Sequence, residues 1–172
     1  MSGLPRIPNT ELQARVMRLV FRFTARLAAA QSVALAQVWL PERSHGGGIS
    51  LQTKGVPFCV NGSEEMLALF RCISCRYQFS TDIRQLRLLG APGRVFLTGK
   101  PEMCEDVQQL DASVYRRLSE ARACSVRSTL LLPLYASPRR DIAVAVFEVV
   151  QTSCALPFPL LLDWLQQTAQ AS

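Results

Sequence analysis

The sequence contains very little histidine or lysine, and it lacks a long apolar run. His45 is the only histidine, and Lys54 and Lys100 are the only lysines among 172 residues. Nucleophilic catalysis needs a positioned base, so a single histidine argues against it. No apolar run reaches the roughly 18 residues that span a bilayer, which predicts a soluble, intracellular protein.

Positive charge comes almost entirely from arginine. The chain has 19 Lys+Arg against 13 Asp+Glu, giving a net charge of +6, and only two of those 19 cations are lysines. The arginines are mostly scattered instead of being clustered with aromatic residues, so direct nucleic-acid binding by this chain is not expected. The excess charge favours an anionic ligand or an acidic partner.

Six cysteines are present, and an intracellular protein keeps them reduced. Cys72 and Cys75 form a C-x-x-C pair on a predicted helix. Because no second pair and no histidine lies nearby, we predict no metal site, and we interpret the two as small buried core residues. Nothing in the sequence indicates a cofactor.

Hydrophobic periodicity predicts a single α+β domain over residues 1–172, with a core at about 10–155. A helix is expected to follow Ser63 as its cap, and strand 33–40 is expected to stop at Pro41. Segment 80–89 is either a short helix or a loop. The other predicted helices cover 10–30, 113–123 and 157–170, and the other predicted strands cover 49–53, 102–107, 126–134 and 142–150. The last two strands are joined by a short turn and should be antiparallel neighbours.

Three glycines and two prolines punctuate the segment from Gly90 to Pro101. Glycine opens backbone angles closed to other residues, and proline fixes its own. The segment is therefore predicted to make tight bends and not to continue as helix or strand. Such bends are places where a domain builds a pocket or a hinge.

The second half of the chain resembles a GAF domain, and most of it resembles the N-terminal GAF-like region of the NIN-like proteins. These are RWP-RK transcription factors of plants and green algae that respond to nitrate. The similarity runs from about Leu12 to Thr152. It is carried by Gln37-Val38-Trp39-Leu40-Pro41, Arg71…Ser74…Tyr77…Phe79-Ser80…Asp82, Gly90…Pro92-Gly93-Arg94-Val95-Phe96, Asp106-Val107-Gln108, Val126-Arg127-Ser128-Thr129-Leu130…Leu132-Pro133-Leu134 and Val146-Phe147-Glu148-Val149. The resemblance implies a GAF-like fold with a central antiparallel sheet flanked by helices.

Some positions depart from the family pattern, which points to a divergent member. The departures are Ala91, Met103, Ser128 and Ala145. The family's DNA-binding helix and its C-terminal interaction domain are absent from these residues. The resemblance therefore implies the regulatory part of such a factor, located in nucleus and cytoplasm.

The function implied by the resemblance is non-catalytic. It is a sensory or regulatory module of a nitrate-responsive factor controlling nitrate assimilation genes, binding a small anion such as nitrate. One alternative is a ligand-free interaction or homodimerisation module that uses its terminal helices, or an arginine stripe that docks a partner. The stripe consists of Arg15, Arg18, Arg22 and Arg26. A further alternative is a thiol-dependent GAF-fold reductase using Cys72, Cys75 and Cys104.

Arg94 and Arg127 are the main candidates for binding an anion, because arginine presents a planar fork of donors. Alternatively, each is paired with a carboxylate such as Asp106 or Glu148, or is solvated. The remaining candidates are Trp39, Tyr77 and His45 for the ligand, and Ser80 for regulatory phosphorylation. Trp39 is equally interpreted as a core residue, His45 as an exposed loop residue and Ser80 as a helix cap.

Overall fold

The computed structural model describes residues 9–29, 33–43, 47–62, 64–135 and 143–154. The candidate His45, the predicted cap Ser63 and the predicted helix 157–170 lie outside the described residues. The elements in chain order are α1 (Asn9–Ala29), β1 (Ala34–Arg43), β2 (Ile49–Gln52), β3 (Phe58–Asn61), α2 (Glu65–Ser74), β4 (Phe79–Ser80), α3 (Leu86–Thr98), β5 (Glu102–Cys104), a 3₁₀ turn (Val107–Gln109), α4 (Leu118–Ala123), β6 (Ser128–Tyr135) and β7 (Ala143–Gln151).

The described strands form one antiparallel sheet in the order β4-β2-β1-β7-β6-β5, and β3 also pairs with β1. Strands β6 and β7 are antiparallel neighbours, from the pair Ser128 and Gln151 to the pair Tyr135 and Ala143. With helices packed on both faces, this arrangement confirms the predicted α+β fold with a central antiparallel sheet.

The two faces of the sheet bury different sets of side chains, because successive residues of a strand point to opposite faces. Val38 and Phe147 pack against α1, whose Phe23 is fully buried. The intervening residues of β1 and β7 face the helices α2, α3 and α4. Both strands are covered on both faces, so they are expected to be apolar throughout. Gln37 and Glu148 break that pattern and are both fully buried.

The prediction that β1 stops at Pro41 is wrong, because the strand continues to Arg43. Pairing with β7 ends at Trp39, and beyond that point β1 pairs with β2 alone. A strand with one open edge tolerates a residue that has no N–H. Two other predicted elements are shorter than expected, namely α4 (Leu118–Ala123) and β5 (Glu102–Cys104), and β3 was not predicted.

The Gly90–Pro101 segment is mainly helical, so the prediction that it would not continue as a helix is wrong. The predicted bends occur at two positions. Gly90 has a φ of +55° and kinks α3, and Gly99 has a φ of +64° and ends it while donating its N–H to the Val95 carbonyl. Pro92 lies just after the kink, in a first turn, where its missing N–H costs no helical hydrogen bond.

Candidate functional site

A cluster of buried polar side chains lies between the sheet and the helices α2 and α4. We call it the buried polar cluster. Its members are Gln37 and Trp39 from β1, Thr53 after β2, Arg71 and Ser74 from α2, Arg117 at the start of α4 and Glu148 from β7. Each of these side chains is at most 4% exposed. Groups so deeply buried must find their hydrogen-bond partners inside the protein.

Glu148 is the centre of the cluster. One carboxylate oxygen, Oε1, pairs with the Arg117 Nη2 group. The other, Oε2, accepts hydrogen bonds from Gln37 Nε2 and from Trp39 Nε1, each at 2.8 Å. Arg117 also donates through Nη1 to Ser74 Oγ at 2.9 Å. The carboxylate therefore ties β1, β7 and the helical layer together.

The guanidinium of Arg117 is surrounded by aromatic rings. Its Cζ atom lies 4.9–5.6 Å from four ring centroids, those of Trp39, Phe70, Phe79 and Tyr115. Ring faces attract a cation at such distances. Burial is the largest single influence and lowers the pKa of Arg117, but the charge and hydrogen bond of Glu148 act together with Tyr115 and Tyr77, and the net effect is a raised pKa. Arg117 therefore stays charged in an apolar surrounding.

Arg71 is the second buried cation. It donates to the side chains of Gln37 and Thr53, and to the Thr53 and Val56 carbonyl oxygens at 2.7 and 2.9 Å. The Phe58 ring covers its Cζ at 4.6 Å, and its buried Nε has no hydrogen-bond partner. Burial lowers the pKa of Arg71, but arginine remains protonated in proteins.

The charges of the cluster do not balance. It contains two guanidinium groups, Arg71 and Arg117, but Glu148 is its only carboxylate. Among the described hydrogen bonds, those of Arg71 go to neutral oxygens. The seven side chains of the cluster therefore carry a formal charge of +1, although the neighbouring Glu120 carboxylate also interacts with Arg117.

Arg94 and Arg127, the anion candidates from the sequence, both form ion pairs outside this cluster. Arg94 makes a bidentate contact with Glu102 at 2.9 and 2.8 Å. Arg127 Nη2 lies 2.8 Å from Asp106 Oδ2. An anion at either position would have to share the arginine with a carboxylate.

Three other sequence candidates, Trp39, Tyr77 and Ser80, lie within the described part of the chain. Trp39 belongs to the buried polar cluster, and its ring meets that of Phe79 edge-on at 4.9 Å. Tyr77 stacks on the same ring and donates its hydroxyl to Glu120 Oε1 at 2.6 Å. Burial and that hydrogen bond raise the pKa of Tyr77 to about 12. Ser80 is buried, and its Oγ accepts the Asp82 N–H at 3.0 Å, as a turn cap does.

A cavity of about 380 Å³ lies beside Arg94, between α3, β5, β6 and the loop before α4. Its inner wall includes Ala91 and Leu131, which are 5% and 1% exposed. Arg94 and Glu102 form part of its partly exposed edge. Leu110 and Val114 contribute apolar surface from the loop.

The cysteines do not form a recognisable reactive site in the described part of the chain. Cys72 is exposed and Cys75 is half-buried, so the prediction that both are buried is wrong. Burial raises the pKa of the Cys104 thiol, which lowers its reactive thiolate fraction. No group of metal-binding side chains occurs among the described residues, and no described helix is long and apolar enough to cross a membrane.

Helix α1 exposes two large apolar side chains, Met17 at 53% and Phe21 at 75%. They are one helical turn apart, which places them on one side of α1. Arg18 and Arg22 of the predicted stripe are exposed on the same helix, and Arg15 donates to the Tyr135 carbonyl at 3.2 Å. The exposed surface of α1 therefore combines large apolar side chains with positively charged ones.

Sequence reasoning missed most of the buried polar cluster. It identified Trp39 as a candidate and Glu148 as a possible ion-pair partner, but it did not single out Gln37, Arg71 or Arg117. The available signal was the presence of Gln37 within the apolar stretch 34–41 and of Glu148 within the apolar stretch 143–150. Their partners come from helices distant in the sequence, so no local pattern connects them.

The chain is similar to plant proteins of one family, although no protein-family model matches it. Protein NLP7 of Arabidopsis thaliana is 40% identical over 119 residues, which is 69% of this chain and 12% of that protein. Protein NLP6 of the same plant is 37% identical over 123 residues, covering 72% of this chain and 14% of that protein. The chain therefore matches only about an eighth of the length of these relatives.

Solved structures show the same fold. A GAF domain region of a putative membrane protein from Geobacter sulfurreducens has a TM-score of 0.53 and 18% identity, with 94% of this chain and 97% of that chain covered. NreA of Staphylococcus aureus, in a form mutated in its nitrate binding site, has a TM-score of 0.51 and 15% identity, with 87% and 86% covered. These likenesses establish a GAF-like fold.

Proposed function

Because this chain belongs to the NIN-like protein (NLP) family, we propose that it is the non-catalytic regulatory domain of a nitrate-responsive transcription factor. That factor would control nitrate assimilation genes and act in the nucleus. The support is the similarity to NLP proteins over more than two thirds of the chain. The chain matches only 12–18% of the relatives in this comparison, so DNA binding is assigned to other parts of the full protein.

A non-catalytic role agrees with the state of the described side chains. Acid–base or nucleophilic chemistry needs a reactive group held beside a base. The one buried carboxylate of the cluster, Glu148, is already engaged by three donors. Cys104 has a raised thiol pKa, and Cys72 carries no base partner among the described hydrogen bonds.

The ligand we propose is nitrate, and the observation that carries this is the excess positive charge of the buried polar cluster. A monovalent anion beside Arg71 would balance the two buried guanidiniums. The Nη groups of Arg71 already donate to four oxygens, so nitrate, which accepts in the guanidinium plane, would bind the remaining Nε–H group. The unpartnered Nε of Arg71 would then have an acceptor. Displacing the exposed Phe58 ring would give access.

Calorimetry and thermal unfolding with potassium nitrate test this proposal, with potassium chloride at the same ionic strength as control. We expect saturable heat and a nitrate-specific rise in unfolding temperature, because a ligand at 100 times its Kd adds about 2.7 kcal/mol. Arg71→Gln should abolish the nitrate effect, whereas Arg94→Gln should keep it. The absence of heat and of any specific shift at millimolar nitrate would reject the ligand for this chain.

A second candidate function, homodimerisation, is favoured by the exposed side chains of Met17 and Phe21. Two copies that bury this apolar surface would remove it from water. Light scattering should then give twice the monomer mass for the unaltered chain and the monomer mass for Phe21→Ser. The matched control is Arg22→Ser, which changes the arginine stripe on the same helix but leaves Met17 and Phe21 in place. A monomer at all concentrations would exclude self-association through α1.

A further inference from the structure

The cavity beside Arg94 has an edge of mixed charge, and its wall is mostly apolar but also includes Thr129 and Tyr115. Arg94 and Glu102 lie side by side at the edge, and their side chains are 32% and 35% exposed. The wall behind them includes the buried Ala91 and Leu131. A volume of about 380 Å³ is at the lower end of the range for small-molecule pockets. The site is therefore large enough for a metabolite of modest size.

The ion pair at the edge leaves hydrogen-bonding capacity on both partners. A guanidinium has five N–H groups. Arg94 donates its Nε–H and one Nη2–H to Glu102, and it donates one Nη1–H to the Val114 carbonyl at 3.0 Å. One N–H on each of Nη1 and Nη2 is left. A carboxylate has about four acceptor positions, of which Arg94 occupies two on Glu102. Both groups can therefore bind a ligand without losing each other.

This combination selects for one kind of ligand. A simple anion would be attracted by Arg94 but repelled by Glu102. A simple cation would be attracted by Glu102 but repelled by Arg94. A zwitterion satisfies both, provided that its two charges are close together. An α-amino acid has its ammonium and carboxylate groups on the same carbon. Its side chain would be directed toward Ala91 and Leu131, where an apolar group gains from burial.

We propose that the cavity edged by Arg94 and Glu102 is a binding site for a free α-amino acid with an aliphatic side chain. The ligand carboxylate binds the two remaining N–H groups of Arg94, and its ammonium group binds Glu102. Its side chain fills the space beside Leu131, Leu110 and Val114. This site is separate from the one proposed for nitrate, which uses Arg71, so each can fail without the other.

Isothermal titration with L-leucine, in nitrate-free buffer, is the direct test. We expect saturable binding, with 4-methylpentanoate and 3-methylbutylamine each at least tenfold weaker because each carries only one of the two charges. Glycine should also be at least tenfold weaker, since it leaves the apolar interior unfilled. No saturable leucine binding up to about 10 mM overturns the proposal, as does equal binding of either singly charged analogue.

Substitutions of Arg94 and Glu102 test whether leucine binds at the edge of this cavity. Arg94→Gln and Glu102→Gln should each weaken leucine binding at least tenfold, and both side chains are exposed enough for the fold to tolerate the change. Val114→Trp, at a 42% exposed position of the wall, should weaken leucine binding by filling the cavity. The matched control is Asp82→Asn in the exposed Asp82–Arg84 pair, which should bind leucine as the unaltered chain does. Unchanged binding in both edge variants overturns the assignment.

Discussion

Replacing Glu148 by glutamine is expected to lower the free energy of unfolding by about 3–5 kcal/mol, because it removes one partner of a fully buried ion pair. The carboxylate accepts from Arg117 at one oxygen and from Gln37 and Trp39 at the other. A glutamine side chain has one oxygen and one NH₂ group. Whichever way it turns, its NH₂ group faces a donor, and two buried guanidiniums lose their carboxylate.

Urea unfolding of the folded domain measures this loss. Asp82→Asn is the control, since it removes a carboxylate from an ion pair whose arginine is 86% exposed, and only a small change in midpoint is expected. The double variant Arg117→Met with Glu148→Gln should recover part of the stability, because the amide no longer faces a guanidinium. A loss below about 1 kcal/mol for Glu148→Gln would contradict the central role of this carboxylate.

Gly90→Ala is expected to destabilise the domain by about 3 kcal/mol, from two additive causes. The backbone at Gly90 has a φ of +55° and a ψ of −174°, a combination essentially confined to glycine, which costs an L-residue about 1–3 kcal/mol. A Cβ built there lies 2.5 Å from Cε1 of Phe79, a distance that forces the ring to move. Overpacking of this kind costs about 1–3 kcal/mol. Phe79 cannot move freely, because it packs against Trp39 and Tyr77.

Gly55→Ala tests the positive φ by itself. Gly55 has a φ of +73°, but a Cβ there meets nothing within 4 Å. It should therefore cost only the backbone part, about 1–2 kcal/mol. The difference between the two variants in urea unfolding reports the contact with Phe79 together with the backbone cost of the ψ of −174° at Gly90. Equal losses would show that the steric contact at the kink of α3 contributes nothing.

Local patterns were sufficient for most elements of the fold. The apolar periodicity of residues 10–30 predicted α1, and the runs at 126–134 and 142–150 predicted the β6–β7 pair. Patterns failed where tertiary contacts decide the outcome. Pro41 does not end β1, because β1 has one open edge there. The Gly90–Pro101 segment contains a helix because its glycines take the bends at its two ends, so that the intervening residues are free to be helical.

The candidate site was less accessible to sequence reasoning than the fold. Arg94 and Arg127 were singled out because they lie in recognisable motifs, and both form ion pairs with nearby carboxylates. Arg71 and Arg117 lie on helical segments 46 positions apart and carry no local signature. Their role depends on which residues of β1 and β7 face them across the sheet.

The family, the α+β class and the apolar character of β1 and β7, which are covered on both faces, could be derived from the amino-acid sequence alone. These depend on short-range periodicity and on motifs that are contiguous in the chain. Which polar groups meet, in contrast, depends on how the chain packs in three dimensions. Gln37, Arg71, Arg117 and Glu148 come from four separate elements, and burial forces them to satisfy one another, because water is excluded from that layer. The excess positive charge of the cluster follows from that assembly and from no single segment.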